Sequence, residues 1–245
     1  MEVHHGGLGL PTAAEEVTLR EFTLCDADAE AFMSWASDPR VARFQRRDAY
    51  AHVDEARRYI ADHVLPHPWY RAICVGAGAD RAVVGSISVK PAAAEEGRLF
   101  RASVGYRVAH AHWGLGVATR AVRAAAEAVF AAWPWLRRLE AVADVENPAS
   151  QRVLEKAGFV REGVLRRYIL LKGRPRDMVM FSLVDTDRRA LEGPWTPMGR
   201  DALHFSGFPI SIIPERDTSK AMASETSRSW YGCTAAHGSE AGTQL

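Results

Sequence analysis

The stretch Ser103–Thr119, SVGYRVAHAHWGLGVAT, constrains this 245-residue chain most, because its backbone must change period within a few residues. Val104, Tyr106 and Val108 alternate as in a strand. From Ala118 onward the apolar residues fall at Val122, Ala125, Val129 and Ala132, which is helical spacing. Between the two periods lie Trp113, Gly114, Leu115, Gly116 and Val117. Glycine permits φ > 0 and removes the Cβ that would hold a ligand off the backbone. A helix that starts there offers unpaired N–H groups and the positive end of its dipole. The stretch therefore predicts a strand, a Gly-x-Gly turn and a helix N-terminus shaped for an anion. It is not a Walker A loop, since no Gly-Lys-Ser/Thr follows. Thr119 also stands where a dinucleotide fingerprint would place its third glycine.

The rest of the chain supplies a frame for that turn. Val17–Thr23 alternates as a first strand, and Asp26 is placed to cap a helix that Asp38-Pro39 would stop. A second helix over His52–Leu65 puts Val53, Ala56, Ile60 and Val64 on one face, and Pro66 and Pro68 end it. Three strands follow, Tyr70–Val75, Val83–Val89 and Leu99–Val108, separated by turn-like GAGAD and PAAAEEG. After the long helix come a strand over Leu139–Val145, a helix opened by Asn147-Pro148, and a final strand pair. Consecutive strands imply an antiparallel meander, and the helical crossover implies a parallel pair. The expected fold is α+β, a mixed and mostly antiparallel sheet of about six or seven strands with about four helices. Residues 1–16 read as a flexible lead-in, 17–185 as the domain, and 186–245, rich in Pro, Ser, Thr and Gly without periodicity, as a mostly disordered tail.

Composition narrows the function classes. A formal net charge of +1 argues against a nucleic-acid footprint or a polybasic membrane surface. Cys25, Cys74 and Cys233 are odd in number and far apart, so they suggest neither a disulfide framework nor a metal site. His110 and His112 flank the turn but lack two further zinc ligands, and no metal is expected. No apolar run approaches the length of a membrane span, and the start has neither a signal core nor a transit-peptide pattern. A cytoplasmic location, with the nucleus as the other choice, fits these features.

Asp144–Phe159, DVENPASQRVLEKAGF, is the second informative stretch. Asn147 is suited to cap a helix, Pro148 to begin it, and Gly158-Phe159 to end it. Together with Trp113-Gly-Leu-Gly116-Val-Ala118, the Asn147-Pro-Ala-Ser150 run and Gly158-Phe159 resemble the signature of the GNAT acetyltransferases. Trp-Gly-x-Gly-x-Ala-Thr is most similar to the RimJ/RimL-like branch and, within it, to a plant subgroup. The resemblance spans about residues 17–184. It implies acetyl-CoA as co-substrate, an N-acetyltransferase activity by direct attack in a ternary complex, and a monomer or homodimer. The acceptor would be an amine: a protein N-terminus, a polyamine or a small molecule.

On that resemblance, Trp113, Gly114, Leu115, Gly116, Val117, Ala118 and Thr119 would hold the pyrophosphate. The Tyr106, Arg107 and Val108 strand would splay from Leu139–Val145 and offer free edge groups to the pantetheine arm, with Asn147 and Ser150 at the opposite strand's end. Trp113 stands where the broad signature has Gln or Arg, and Leu154 where many members place a catalytic Tyr. Ser150 is then the candidate acid for the departing thiolate, and Tyr168 the second. The position at which the resemblance implies a glutamate base holds Ile169. Acceptor contacts would come from Phe44–Tyr50 and Val164–Lys172, and the basic Arg166, Arg167, Lys172, Arg174 and Arg176 form a solvated hairpin or meet an acidic acceptor. Two other readings compete: an acyl-CoA-binding module without catalysis, and a dinucleotide-binding oxidoreductase domain with Glu140 on the ribose.

Overall fold

Seven strands form a single mixed sheet in the order β1-β2-β3-β4-β5-β7-β6. They are β1 (Val17–Arg20), β2 (Tyr70–Val75), β3 (Ala82–Pro91), β4 (Arg101–Val108), β5 (Arg138–Asp144), β6 (Val160–Leu171) and β7 (Arg174–Val184). The computed structural model describes residues 16–78, 81–95 and 97–190, the last three without their side chains. The lead-in before residue 16, the tail beyond residue 190 and Cys233 therefore lie outside the described residues. A 3₁₀ segment, Asp185–Ala190, continues from β7 beyond the expected end of the domain.

The meander and the crossover are both present. β1 to β4 pair antiparallel in succession, and only β4 and β5 run parallel. That parallel pairing is short: Arg101–Ser103 meets Arg138–Glu140, and nothing beyond. From Val104 to Val108 the edge of β4 that faces β5 has no strand partner, as expected. The sheet is split along its middle.

Helices cover both faces because the strand alternation carries two apolar sets. On one face, Ile73, Ile87, Val104 and Phe181 pack with Val117, Val122 and Val129 of α4 (Val117–Ala132) and Leu154 of α5 (Pro148–Lys156). On the other, Tyr70, Ala72 and Cys74 pack with Phe32 and Trp35 of α1 (Asp26–Ala36) and Ile60 beyond α3 (Val53–Tyr59). A π-helical turn, Ile60–Val64, completes the second expected helix. Five α-helices are present among the described residues, in keeping with the expected count of about four. The addition is α2 (Pro39–Ala42), a single turn capped by Asp38. Asp38-Pro39 thus ends one helix and starts another, since proline suits the first helical position. Cys25, not Asp26, caps α1: its Sγ accepts from the Asp28 N–H at 3.4 Å.

Gly85 of β3 shows why the meander tolerates no side chain opposite the split. A Cβ there would fall well inside contact with the carbonyl oxygen of Arg107. Glycine lets β3 and β4 close up at the point where β4 loses its other neighbour.

Candidate functional site

The turn before α4 is open. Gly114 and Gly116 have φ of 76° and 75°, and a Cβ added at either would meet nothing within 4 Å. Gly116 is the N-cap, so no side chain satisfies the first turn. The first bond into the helix is Arg120 N–H to Gly116 O, at 3.1 Å. The six N–H groups from Gly114 to Thr119 consequently have no acceptor among the described residues. Such a row of donors at a positive helix end is suited to an anion. Trp113 closes the turn's outer side: its indole N–H donates to Val108 O at 2.8 Å, and its ring meets His110 at 4.8 Å. One lone pair of the Val108 carbonyl is therefore taken, which corrects the expectation that this group is wholly free. The tryptophan thus contributes by bracing the loop.

The second half of the site is built at the end of β5. Asp144 is buried, and Arg176 holds it in a forked pair at 2.8 and 2.9 Å. Its Oδ1 also accepts Glu146 N–H, and its carbonyl accepts Asn147 N–H at 2.9 Å and the Gln151 amide at 3.0 Å. Burial pushes the Asp144 carboxyl up, but the Arg176 guanidinium and the Glu146 N–H outweigh it and hold the pKa below its ordinary value. A depressed carboxyl stabilises the fold fully above its unfolded value of about 3.9, and that contribution is lost as pH falls through the lower folded value. Asp144→Asn is accordingly expected to cost about 1–3 kcal/mol at neutral pH. The gap in melting temperature should close as the wild type is acidified below about pH 4. A gap that stays constant down to pH 2 would show that the pair adds nothing.

Arg176 thus belongs to this brace, where the sequence reads as a solvated hairpin or a contact to an acidic acceptor. The loop leads into α5 as expected. Asn147 accepts Ser150 N–H at 3.1 Å, Pro148 begins the helix, and Gly158 ends it at φ 94°. Ser150 is thereby oriented across the split toward β4. Its Oγ lies 2.8 Å from the Tyr106 hydroxyl, which is also 3.1 Å from the Ser150 carbonyl. Burial, only partly offset by Ser150, pushes the Tyr106 phenol up to about 12. The phenol keeps its proton near neutrality.

That contact bridges the two halves of the sheet, and it was not expected. Sequence reasoning placed Tyr106 among the strand-edge groups, and only its position in the alternation hinted at a shared face. Tyr168, the second candidate acid, is half exposed on the irregular part of β6 next to Arg167 at φ 49°, and no bond joins it to Ser150. Leu154 is buried in the core. A tyrosine at that position would overpack the core before it reached the split. The two segments expected to contact the acceptor meet through a Lys172–Asp48 ion pair of 3.0 Å. No group of three or more His, Cys, Asp or Glu among the described residues is placed to hold a metal ion. No helix among them is long and apolar enough to cross a membrane.

A split sheet, a helix start with free N–H groups and a hydroxyl pair between them suit an extended, phosphate-bearing ligand. The chain belongs to the acetyltransferase (GNAT) domain family, which matches residues 16–160. It is accordingly an N-acetyltransferase, of a family that uses acetyl-CoA. It is 34% identical over 173 residues to the uncharacterized N-acetyltransferase p20 of Bacillus licheniformis, covering 69% of this chain and 93% of that one. The uncharacterized N-acetyltransferase YoaA of Bacillus subtilis is 31% identical over 172 residues, covering 69% and 94%. Among solved structures, a GNAT-family acetyltransferase from Bacillus anthracis superposes with a TM-score of 0.60 at 22% identity, covering 70% of this chain and 96% of that chain. The Mycobacterium smegmatis RimJ in complex with CoA-disulfide gives a TM-score of 0.56 at 24% identity, covering 70% and 83%. These relatives are bacterial, and the expected plant-type membership finds no support in them.

Proposed function

We propose that the protein moves the acetyl group of acetyl-CoA to a primary amine, with an α-amine such as a protein N-terminus favoured, by direct attack in a ternary complex. The observation that carries this reading is the alignment of three features along one split: free N–H groups at α4, an unpaired edge on β4, and the Tyr106–Ser150 pair. The free N–H groups of Gly114–Thr119 suit a pyrophosphate, and charge-assisted bonds of this kind contribute about 1.5–3 kcal/mol each. The unpaired Val104–Val108 edge suits an amide-bearing arm, as an added strand would. When bound, acetyl-CoA supplies an activated acyl thioester. Tyr106 O–H donating to Ser150 Oγ leaves the Ser150 proton free to meet the departing sulfur. In the alternative arrangement Tyr106 O–H donates to the Ser150 carbonyl and the Ser150 hydroxyl donates to Tyr106 Oη, which turns the serine proton away from the sulfur, so the first arrangement is the working one.

Among the described residues no carboxylate is hydrogen-bonded to the pair to act as a strong base. An α-amine with a pKa near 8 is roughly a fifth deprotonated at slightly basic pH, while a lysine side chain near 10.4 is depleted about a thousandfold. The RimJ/RimL-like assignment rests on Trp113–Thr119 and on Ser150 in place of the usual tyrosine. Free thiols at Cys25 and Cys74 support a reducing, cytoplasmic setting. Mixing protein, acetyl-CoA and a panel of amines should release CoA thiol. Peptide α-amines should react faster than peptides whose only amine is a lysine side chain. Absence of thiol release with every amine would overturn the reading in favour of a binding module.

A further inference from the structure

β4 presents its two faces to different partners. Tyr106 points toward α4 and α5, and the next residue, Arg107, points to the opposite face, where its Nε donates to Gln45 Oε1 at 2.9 Å and its Nη1 to Tyr70 Oη at 3.2 Å. Arg47, in the segment between α2 and α3, lies close by. Its guanidinium sits 4.1 Å from the ring centre of Tyr50 and 4.4 Å from that of Tyr59, and its Nη1 bonds the Tyr50 hydroxyl. Neither arginine has a carboxylate within ion-pair distance among the described residues. The Nη2 of Arg47 is buried without any hydrogen-bond partner.

Two half-buried guanidinium groups beside one another, one with a buried donor, are costly unless something compensates them. Burial, and then the like charge of Arg107, lower the Arg47 pKa. Burial opposes charge on Arg107 too, but Tyr70 and Tyr59 outweigh it. Phenol dipoles and ring faces offset part of this cost, yet they leave the pair with a net charge and one buried donor without an acceptor. An anion bound there would satisfy both.

The position says which anion. The pair lies on the face of β4 opposite α4, so it is remote from the turn that suits the pyrophosphate and adjacent to the split where the amine must arrive. Arg47 itself belongs to the Phe44–Tyr50 segment, which Lys172 ties to the β6–β7 hairpin through Asp48. We propose that Arg47 and Arg107 form an anion seat for the acceptor, so that this enzyme acetylates amines carried next to a carboxylate, as in an amino acid or an N-terminus followed by acidic residues. The inference rests on the acetyltransferase reading above and deepens it. It also separates this chain from fold neighbours such as the spermidine N-acetyltransferase of Vibrio cholerae solved with CoA and spermine, at 20% identity. A polycation brought to two guanidinium groups would be repelled.

The test compares acceptors on the full chain. Free amino acids, their amides, acidic and neutral-capped dipeptides and spermidine are assayed for kcat/KM with saturating acetyl-CoA. Carboxylate-bearing acceptors should exceed their amides by about tenfold or more, amino acids and acidic dipeptides distinguishing the two sources of the anion. Spermidine should be poorest. Arg47→Gln should erase the preference, chiefly through KM for the acidic acceptor, while acetyl-CoA affinity by calorimetry stays within about twofold. Arg47→Lys, which keeps the charge, should retain part of it. Equal use of acids and amides, or preference for spermidine, would overturn the proposal whatever the variants do. A separate readout keeps it distinct from the activity itself. N-acetylated acidic dipeptides should raise the melting temperature of the wild type but not of Arg47→Gln. Stabilisation without turnover would sink the enzyme reading and leave the seat standing; turnover without discrimination would do the reverse.

Discussion

Gly116→Asp is expected to abolish acetyl-CoA binding while the protein stays folded. The two outcomes separate because Asp is a good helix N-cap, and space around Gly116 is open, so the carboxylate can cap α4 where nothing does now. The left-handed φ of 75° costs a non-glycine residue about 1 kcal/mol, and Asp tolerates it better than most. The ligand fares differently. The new carboxylate takes the N–H groups meant for the pyrophosphate and sets a negative charge against it. Two like charges about 4 Å apart near a protein surface repel by about 4 kcal/mol, which corresponds to a loss in affinity of several hundredfold. Calorimetric titration with CoA and with acetyl-CoA checks this, with circular dichroism as the control. Gly116→Asn, of the same shape without the charge, should retain more affinity. Unchanged affinity in the Asp variant would show that the phosphates lie elsewhere.

Ser150→Ala and Tyr106→Phe should each lower kcat by about a hundredfold, with little change in the affinity for acetyl-CoA. Positioned proton transfer is worth about 10²–10⁴. The low end applies, because a CoA thiol with a pKa near 8.5 already leaves well. The pair makes a sharper demand than either residue alone. If the serine proton depends on the Tyr106 hydroxyl, then removing both should cost no more than removing the worse one, because the two act as a unit. Multiplicative losses would instead indicate two independent contributions. A serine that matters only to its helix turn would leave kcat at the parent value across the pH profile, and Tyr106 or water would inherit the proton.

The turn and the ends of α5 were legible because they depend on neighbours in sequence. Gly114, Gly116, Asn147, Pro148 and Gly158 each impose a backbone state that no distant residue needs to confirm. The split was legible for a different reason: a parallel pair needs a helical crossover, and the crossover here begins at the turn itself. What was not legible depended on sequence separation. Tyr106 and Ser150 are 44 residues apart, and Asp144 and Arg176 are 32 apart. Arg176 reads as one more cation in a basic hairpin until β7 lies beside β5. Arg47 and Arg107 carry no local mark at all, since their meeting depends on how the segment between α2 and α3 lies beside β4. The cap of α1 was misread because Asp26 suits the role by type, whereas Cys25 holds the non-helical backbone that a cap requires.

The short pairing of β4 with β5 has a mechanical consequence. Three residue pairs join four strands on one side to three on the other, so as a β-structure the protein is two half-sheets held by a narrow seam. An amide-bearing arm lying in the gap would supply rungs that the ladder lacks. On the reading proposed above, the co-substrate would then serve as a mortar as well as a reagent, and each release of its spent form would loosen the masonry around the place where the next acceptor must enter.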